Sequence, residues 1–450
     1  MNTPICDFVR AYARSGGQRL HMPGHKGTGP LGVETLDITE VEGADELYHC
    51  HGIIRSSQDN AARLFGAART LYSTEGSSLA IRAMVYLTVL YARSQGKTPR
   101  IAAGRNAHKV FMTAAALLDV EVDWLFPERW EGLVSCPITE EGLEEYLTRA
   151  EELPTAVYIT SPDYLGNRVD VSVLARVCHG FGVLLIVDNA HGAYLRFLPE
   201  DLHPMTLGAD LCCDSAHKSL PVLTGGAYLH LSSSAPELMH ERAQAAMELF
   251  ASTSPSYLIL QSLDAANAAL AGNYRQRLAE FVRAVDEVRA CLTRAGYVLT
   301  GSEPLKLTIA ARSRGYTGAQ LAALLAQRGL VCEFSDPDYV VLMLTPENGT
   351  QALVLVERAL ISIPKQDCDL PLIPPLCRPE RWCSPRRALL CAGEERDVRA
   401  SRGMVLTDPM VGCPPAVPIL VCGEVVDDAA IDLMTYYGVE RCRVAPKEMM

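Results

Sequence analysis

The sequence lacks three features that mark common classes of protein. It has no run of 18 or more apolar residues, which argues against a membrane-spanning helix. It has no basic tract, and its 41 Lys and Arg against 53 Asp and Glu give a net charge of −12, which argues against nucleic-acid binding. Its first residues, MNTPICDFVRAYARSGG, lack the charged and apolar regions of a signal peptide, so we expect a cytoplasmic protein.

Cysteine is plentiful, but its placement favours neither disulfides nor metal binding. The 15 cysteines are scattered along the chain, their number is odd and no CxxC pair occurs. We therefore predict reduced thiols, most of them filling the core. The cluster Tyr48-His49-Cys50-His51 has side chains of the metal-ligating type but lacks a second ligand pair. We predict that the protein binds no metal.

The length of 450 residues and an apolar content of 48% indicate a globular protein of more than one domain. Between residues 57 and 250, short apolar runs alternate with amphipathic stretches, which predicts an α/β fold with a mainly parallel sheet. We predict an N-terminal segment at 1–56, a large domain at 57–270, a bridging helix at 271–296 and a smaller C-terminal α/β domain at 297–450. The strands predicted in the large domain are Thr155–Thr160, Val183–Asp188 and Gly226–Leu231.

The C-terminal part shows weaker versions of the same pattern. Apolar residues at helical spacing from Leu278 to Leu292 indicate the bridging helix, with Gly296 as its stop. A Pro-rich and Cys-rich stretch at 364–385 indicates a linker or an extended wrap. The other elements predicted here are strands at Pro304–Ile309 and Val340–Leu344 and a helix at Thr317–Gln327.

One glycine-rich string matches a nucleotide-binding pattern only formally. Residues Gly27–Gly32 satisfy GxGxxG, but no apolar strand precedes them, Pro30 interrupts the turn and no helix follows directly. We predict that this string does not bind a dinucleotide.

Three features of the large domain together indicate a cofactor site. Asp188 closes the strand VLLIVD, and Lys218 follows another strand in the segment CDSAHKSLP. Upstream, TEGSS at 74–78 opens a helical stretch that begins near Leu79, and a helix N-terminus of this kind suits a phosphate. Pyridoxal phosphate requires a lysine for a Schiff base, a carboxylate for its pyridinium nitrogen and an anion site. Each feature alone is common, since surface lysines, capping aspartates and serine-rich helix starts occur in many proteins.

Several strings of the sequence resemble the Orn/Lys/Arg decarboxylase family, and they run in order through nearly the whole chain. The resemblance is to the shorter members of that family, and it implies the α/β fold of the aspartate aminotransferase type with a smaller C-terminal domain. The matches include RNAHK at 105–109, DNAHGA at 188–193 and STSPSY at 252–257. Three further matches are specific in combination, namely LHMPGHKG at 20–27, SAHK at 215–218 and PPAVPILVCGE at 414–424.

The resemblance implies a role for each matched residue. Lys218 resembles the Schiff-base lysine, and Asp188 resembles the partner of the pyridine nitrogen. His108 resembles the histidine that stacks on the cofactor ring, and His217 lies beside Lys218 as a further catalytic candidate. The other implied cofactor contacts are Gly76, Ser77, Ser78, Ala190 and Ser215, with Thr253 or Ser254 of a second subunit reaching the phosphate.

The sequence also departs from the family pattern. Glu75 stands where the family usually has Asn, and a carboxylate there would repel a phosphate unless it is turned away. Cys413, Ala416 and Cys422 stand where tyrosine, glycine and proline are common, and GADELYHC at 43–50 is likewise altered. These departures put substrate recognition in more doubt than cofactor binding.

The implied activity is pyridoxal-phosphate-dependent α-decarboxylation of a basic amino acid, giving agmatine or a diamine and CO₂ for polyamine biosynthesis. Arginine is the first expectation, with lysine and ornithine close behind. Lys218 or His217 is the candidate proton donor to the α carbon. Carboxylates facing the distal cation would set selectivity, and the candidates are Asp45, Glu46, Asp163 and Glu424.

The resemblance further implies at least a homodimer, with a small basic amino acid as the substrate. The charge and the apolar runs of the sequence predict no nucleic-acid or membrane partner. Two alternatives stay open at this point. The same cofactor supports transamination and lyase reactions on this fold. The chain could also be a non-catalytic homologue that regulates an active partner.

Overall fold

The structure is a computed structural model, and it describes residues 1–127, 135–367, 370–412 and 418–450. Its helices are α1 Pro4–Arg14, α2 Ile53–Phe65, α3 Gly76–Ser94, α4 Lys109–Leu118, α5 Glu140–Arg149, α6 Val171–Gly180, α7 Ala216–Ser219, α8 Glu237–Glu248, α9 Tyr257–Ala271, α10 Tyr274–Arg294, α11 Gly318–Ala326, α12 Gly349–Ile361, α13 Pro385–Leu389 and α14 Asp428–Tyr436.

The strands are shorter, and the first seven belong to one sheet. They are β1 Arg69–Ser73, β2 Arg100–Gly104, β3 Glu121–Leu125, β4 Ala156–Thr160, β5 Leu184–Asp188, β6 Leu211–Asp214, β7 Ala227–Leu231, β8 Leu299–Thr300, β9 Lys306–Ala310, β10 Phe334–Ser335, β11 Tyr339–Met343, β12 Glu394–Asp397, β13 Val405–Leu406, β14 Met410–Val411, β15 Leu420–Val421 and β16 Arg441–Ala445.

The chain divides into two compact units. The first comprises Met1–Lys97, Thr155–Val157 and Val171–Arg277, and the second comprises Thr98–Pro154, Tyr158–Asp170 and Leu278–Met450. In the first unit, β1, β7, β6 and β5 are neighbours in that order. β5 and β6 run parallel, whereas β7 is antiparallel to both β6 and β1. Every residue of β5, β6 and β7 is buried, as expected for strands covered on both faces.

Among its described residues, the second unit contains three small antiparallel sheets in addition to the parallel pair β2 and β3. The largest has the order β10-β11-β9-β8, the next has β12-β16-β13, and the last pairs β14 with β15. An apolar cluster fills this unit, and it includes Leu406, Leu420, Leu433 and Val444.

The predicted fold class is confirmed, and most predicted elements are present. β4, β5 and β7 each begin one residue later than predicted, and α10 contains the predicted helical stretch from 278 to 292. Of the linker predicted at 364–385, residues 364–367 and 370–380 form no helix or strand, whereas Arg381 forms an isolated β-bridge with Glu424 and Pro385 begins α13. The prediction that α3 begins near Leu79 is wrong, because the helix begins at Gly76, whose φ of +70° favours glycine. The predicted domain boundaries stay a prediction.

The cysteines that the structure describes are all free thiols, as predicted. In these described parts, no helix combines the length and the apolar character needed to span a bilayer.

Candidate active site

Strand β5 carries a carboxylate to one edge of the sheet in the first unit. Asp188, its last residue, is only 2% exposed. Its Oδ1 accepts the backbone N–H of Ala190 at 3.1 Å, and the thiol of Cys213 donates to the same oxygen at 3.5 Å. Asp188 is paired in register with Cys213 of the parallel strand β6. The segment that follows β6 therefore starts beside this carboxylate.

That following segment contains the predicted cofactor lysine. The short helix α7 includes Lys218, whose backbone N–H donates to the carbonyl of Ser215 at 3.0 Å. The Nζ atom of Lys218 lies 3.3 Å from Nε2 of His191, which is 7% exposed. His191 follows Asp188 by three residues, so the parallel pair of β5 and β6 brings both segments to one edge. The sequence did not predict this contact, although His191 stands in the same DNAH string.

His217, the residue before Lys218 in α7, is hydrogen-bonded to a backbone carbonyl. Its backbone N–H donates to the carbonyl of Gly226 at 3.1 Å, and its Nδ1 lies 3.0 Å from the same oxygen. Because a carbonyl only accepts, Nδ1 carries a proton. Burial lowers the pKa of His217 below its usual 6.5, and the neighbouring Lys218 lowers it further. At neutral pH the ring is therefore uncharged.

The start of α3 contains the residues that the sequence predicts as phosphate contacts, and this role stays a prediction. Gly76 donates its N–H to the carbonyl of Gly225 at 2.7 Å, and the hydroxyl of Ser73 donates to the carbonyl of Gly76 at 2.8 Å. The hydroxyl of Ser215 donates to Oγ of Ser77 at 2.8 Å, which brings two predicted phosphate contacts together. A Cβ atom added to Gly76 would lie 3.9 Å from Cε1 of His217. The turn and the lysine segment are thus direct neighbours.

Glu75 is held by the loop that carries Thr253 and Ser254. Its Oε1 accepts the backbone N–H of Ser252 at 2.7 Å. Thr253 and Ser254 follow directly and are exposed, and the N–H of Ser254 donates to Oγ of Ser252 at 3.1 Å. The sequence predicted repulsion between Glu75 and a phosphate unless the carboxylate is turned away. The structure gives that carboxylate a partner in the loop.

A fully buried cluster that the sequence did not predict lies behind this edge. Asp214, the last residue of β6, has its Oδ2 2.9 Å from Nε2 of His203 and 3.2 Å from Nε2 of His230. The side-chain amide of Asn189 donates to the other oxygen of Asp214 at 2.7 Å. Burial alone would raise the pKa of Asp214, but the two histidines bring it below its usual value. The cluster thus anchors the residue directly after Asp188.

These three side chains also have the identity and spacing of metal ligands. Nδ1 of His203, however, accepts the backbone N–H of Met205 at 3.3 Å. Its proton therefore lies on Nε2 and is donated to Asp214. A metal would need the lone pair of that same Nε2 atom, which the hydrogen bond to Asp214 already engages. The cluster at Tyr48–His51 is bonded elsewhere, since Cys50 donates to Gln58 and His49 pairs with Glu46.

His108 and the C-terminal string belong to the second unit. His108 is the N-cap of α4, where its Nδ1 accepts the N–H of Val110 at 3.2 Å. Its predicted stacking on the cofactor stays a prediction. Cys413 and Ala416 lie outside the described residues, whereas Cys422 is buried with its pKa raised by burial to about 12.

All four carboxylates predicted to face a substrate cation have partners within the protein. Asp45 accepts the backbone N–H groups at the start of α2, including Gly52 at 2.8 Å. Asp163 accepts both the backbone and the side-chain N–H of Asn167, at 2.8 and 3.0 Å. Glu424 forms a two-point ion pair with Arg105, at 2.7 and 2.8 Å. The fourth, Glu46, is exposed and pairs with a histidine.

Comparison with known proteins places this arrangement in a family. The sequence model described as Orn/Lys/Arg decarboxylase, major domain, matches residues 3–305. The chain belongs to this family. Arginine decarboxylase of Bacillus subtilis is 29% identical over 467 aligned positions, which cover 95% of this chain and 92% of that protein.

Solved structures agree on the fold. The constitutive lysine decarboxylase of Escherichia coli superposes with a TM-score of 0.77 at 19% identity, covering 98% of this chain and 82% of that one. A serine palmitoyltransferase of Sphingomonas wittichii gives a TM-score of 0.56 at 14% identity, covering 80% and 83%. These neighbours have the fold of pyridoxal-phosphate-dependent enzymes, so the predicted fold is confirmed, and the match of the sequence model confirms the predicted family.

The residues of the first unit fit this cofactor chemically. Lys218 and the carboxylate Asp188 follow adjacent parallel strands, and a helix N-terminus with Ser77 lies against Ser215. A helix start lacks intrahelical acceptors for its first N–H groups, so Ser77 and Ser78 offer both N–H and hydroxyl donors to an anion. A side chain at position 76 would reach toward His217, and glycine leaves that space clear.

Proposed function

We propose that this chain catalyses the α-decarboxylation of a basic amino acid with pyridoxal phosphate as its cofactor. The observation that carries the proposal is the meeting of Lys218, Asp188 and the serine-lined start of α3 in one unit of a chain that belongs to a decarboxylase family. When bound, the cofactor supplies an electron sink for the bond that the α-carboxylate loses.

Each of the predicted site residues would contact a different part of the cofactor. Lys218 would bind it covalently, and Asp188 would pair with its ring nitrogen, with Ala190 against the ring. Gly76, Ser77, Ser78 and Ser215 would hold the phosphate. The buried network around Asp214 keeps Asn189 fixed, which in turn positions the carboxylate that precedes it.

The hydrogen bonds favour Lys218 over His217 as the proton donor to the α carbon. His217 is uncharged at neutral pH, and its Nδ1 proton is already donated to the carbonyl of Gly226. Lys218 has a neighbour suited to proton exchange, since His191 lies 3.3 Å from its Nζ. We therefore assign the proton donor role to Lys218, with His191 beside it.

The substrate is tested by release of labelled CO₂ from arginine, lysine and ornithine in turn. We expect arginine to react fastest, because the Bacillus subtilis protein that this chain resembles is named arginine decarboxylase. Lys365→Ala, at an exposed lysine, is the matched control for Lys218→Ala. Formation of a keto acid without release of an amine would contradict decarboxylation and favour transamination. A purified chain that takes up no cofactor would favour a non-catalytic role.

We also propose that the active form is at least a homodimer in which Thr253 or Ser254 of one subunit reaches the phosphate held by the other. Both residues are exposed in the single chain, and Glu75 fixes the loop that bears them. Mixing Lys218→Ala with the double variant Thr253→Ala/Ser254→Ala tests this. If the loop acts across subunits, mixed dimers contain one intact site and activity returns. An active monomer in sedimentation, or no recovery on mixing, would contradict it.

A further inference from the structure

The second unit contains a cavity that the proposed reaction does not use. Its volume is about 1020 Å³, which is ample for a small organic molecule. The turn between β10 and β11, helix α14 and a proline-rich segment at 371–375 form its walls. The lining residues that matter for its chemistry are Arg312, Asp336, Leu372, Asp432, Thr435 and Tyr436.

One wall presents a buried carboxylate that lacks half of its hydrogen bonds. Asp336 is 4% exposed, and its Oδ1 accepts the backbone N–H groups of Asp338 and Tyr339 at 2.8 and 2.7 Å. Its Oδ2 is buried and accepts no hydrogen bond from the residues that the structure describes. Burial raises the pKa of Asp336 to about 6 from its usual 3.8. A buried carboxylate in this condition gains from any cation that reaches it.

Arg312 in the cavity wall does not donate to Oδ2 of Asp336, because its guanidinium is hydrogen-bonded to other groups. Nη1 of Arg312 donates to Asp338 at 3.2 Å and to the hydroxyl of Tyr436 at 3.0 Å. Nη2 donates to the carbonyl of Pro371 at 2.6 Å. Asp338 neutralises the charge of Arg312, so Asp336 and Asp432 leave the cavity with a net negative charge.

The wall formed by residues 371–375 is apolar. Pro371, Leu372, Ile373, Pro374 and Pro375 contribute consecutive positions of one segment, and Tyr436 adds an aromatic side chain. Leu372 is 89% exposed, which is a large apolar surface left in contact with water. The cavity therefore combines a cation-seeking carboxylate with surface that suits a methylene chain.

We propose that this cavity binds an aliphatic amine with two or more positive charges, placing one ammonium group on Asp336 and its methylene chain along residues 371–375. Asp432, exposed on α14, would receive a further charge. The proposal goes beyond the proposed reaction and does not rest on it, since it concerns residues of the C-terminal part alone.

Titration calorimetry of the full chain with spermidine tests the proposal. Asp336→Asn keeps the Oδ1 acceptor of the turn and removes the charge, so we expect roughly tenfold or greater loss of affinity. Thr435→Trp fills the cavity from α14 without altering a charge, and we expect it to remove binding as well. Asp286→Asn, at an exposed carboxylate of α10, is the matched control and should bind spermidine like the wild type.

Several results would overturn the proposal. Wild-type protein that takes up no spermidine would do so, as would equal affinity in the wild type, Asp336→Asn and Thr435→Trp. Magnesium binding that depends on Asp336 and excludes spermidine would make the site a metal site instead. Phosphate binding in the cavity would show that Arg312 is available to anions, contrary to its contacts.

Discussion

The ion pair between Arg105 and Glu424 offers a direct test of how the C-terminal string is used. Glu424 was a sequence candidate for recognising a substrate cation, but the structure pairs it with Arg105. The side chains are 1% and 4% exposed, and the pair has two hydrogen bonds, at 2.7 and 2.8 Å. Glu424 also accepts the N–H of Val421 at 2.8 Å. We predict that replacing Glu424 alters stability and leaves the choice of substrate unchanged.

The expected magnitude follows from the burial of the pair. Removing one partner of a buried ion pair costs about 3–5 kcal/mol, because the other charge is left without compensation. Glu424→Gln should therefore lower the free energy of unfolding by about 3 kcal/mol. The double variant Arg105→Met/Glu424→Leu removes both charges. We expect its free energy of unfolding to lie within about 2 kcal/mol of the wild-type value. The Arg105 guanidinium also lies 5.0 Å from the ring of Trp124, so some loss is expected.

Urea unfolding of the two single variants and the double variant measures this coupling. Glu121→Gln is the matched control, because it breaks an exposed pair with Arg381 and should cost less than about 1 kcal/mol. Single-variant losses below that control, or a double variant that loses the sum of the singles, would refute the reasoning. A changed ratio of activity between arginine and lysine in Glu424→Gln would restore the recognition role.

Three further predictions concern the first unit. Asp214→Asn should lower the free energy of unfolding by about 2–4 kcal/mol in urea titration, because its histidine donors lose a charged acceptor, and a loss under about 1 kcal/mol would contradict the network. Burial holds the pKa of His217 below 6.5, so this histidine binds a proton more readily in the unfolded chain as the pH falls. Below pH 6.5 the Tm of the wild type should therefore fall more steeply with pH than the Tm of His217→Gln. An equal dependence of Tm on pH in the two proteins would contradict this. Glu75→Ala should weaken cofactor binding, measured by absorbance titration, because it frees the loop at Ser252. Glu75→Gln keeps the hydrogen-bond acceptor and should leave cofactor affinity unchanged. An equal loss of cofactor affinity in both variants would show that the charge matters and the loop contact does not.

Much of the first unit is predictable because its strands are short apolar runs that end in polar residues. VLLIVD and the strand before CDSAHKSLP are buried and parallel, so the residues after them share one edge. Asp188 and Lys218 are therefore expected near each other from the sequence alone. The family resemblance then adds the roles of Ser77 and Ser215, whose contact the structure contains.

Other contacts are invisible in the sequence because they join distant segments or depend on local turns. Glu424 and Arg105 are 319 positions apart, and no periodicity relates them. The proximity of His191 to Lys218 depends on the turns after two strands, not on spacing along the chain. The start of α3 was misplaced because its N-cap, Glu75, makes no side-chain cap hydrogen bond and the helix opens on Gly76 with a positive φ, whereas the pattern favours a side chain that caps the helix. Asp336 gave no signal, since its burial follows from a hairpin turn.

The central claim is that Lys218 holds the cofactor at the edge formed by β5 and β6. The most direct test compares Lys218→Ala with Lys365→Ala, measuring the visible absorbance of the bound cofactor and the release of labelled CO₂ from the preferred amino acid. The account predicts that Lys218→Ala loses both signals while Lys365→Ala keeps both. A Lys218→Ala protein that retained the absorbance and the turnover would contradict it.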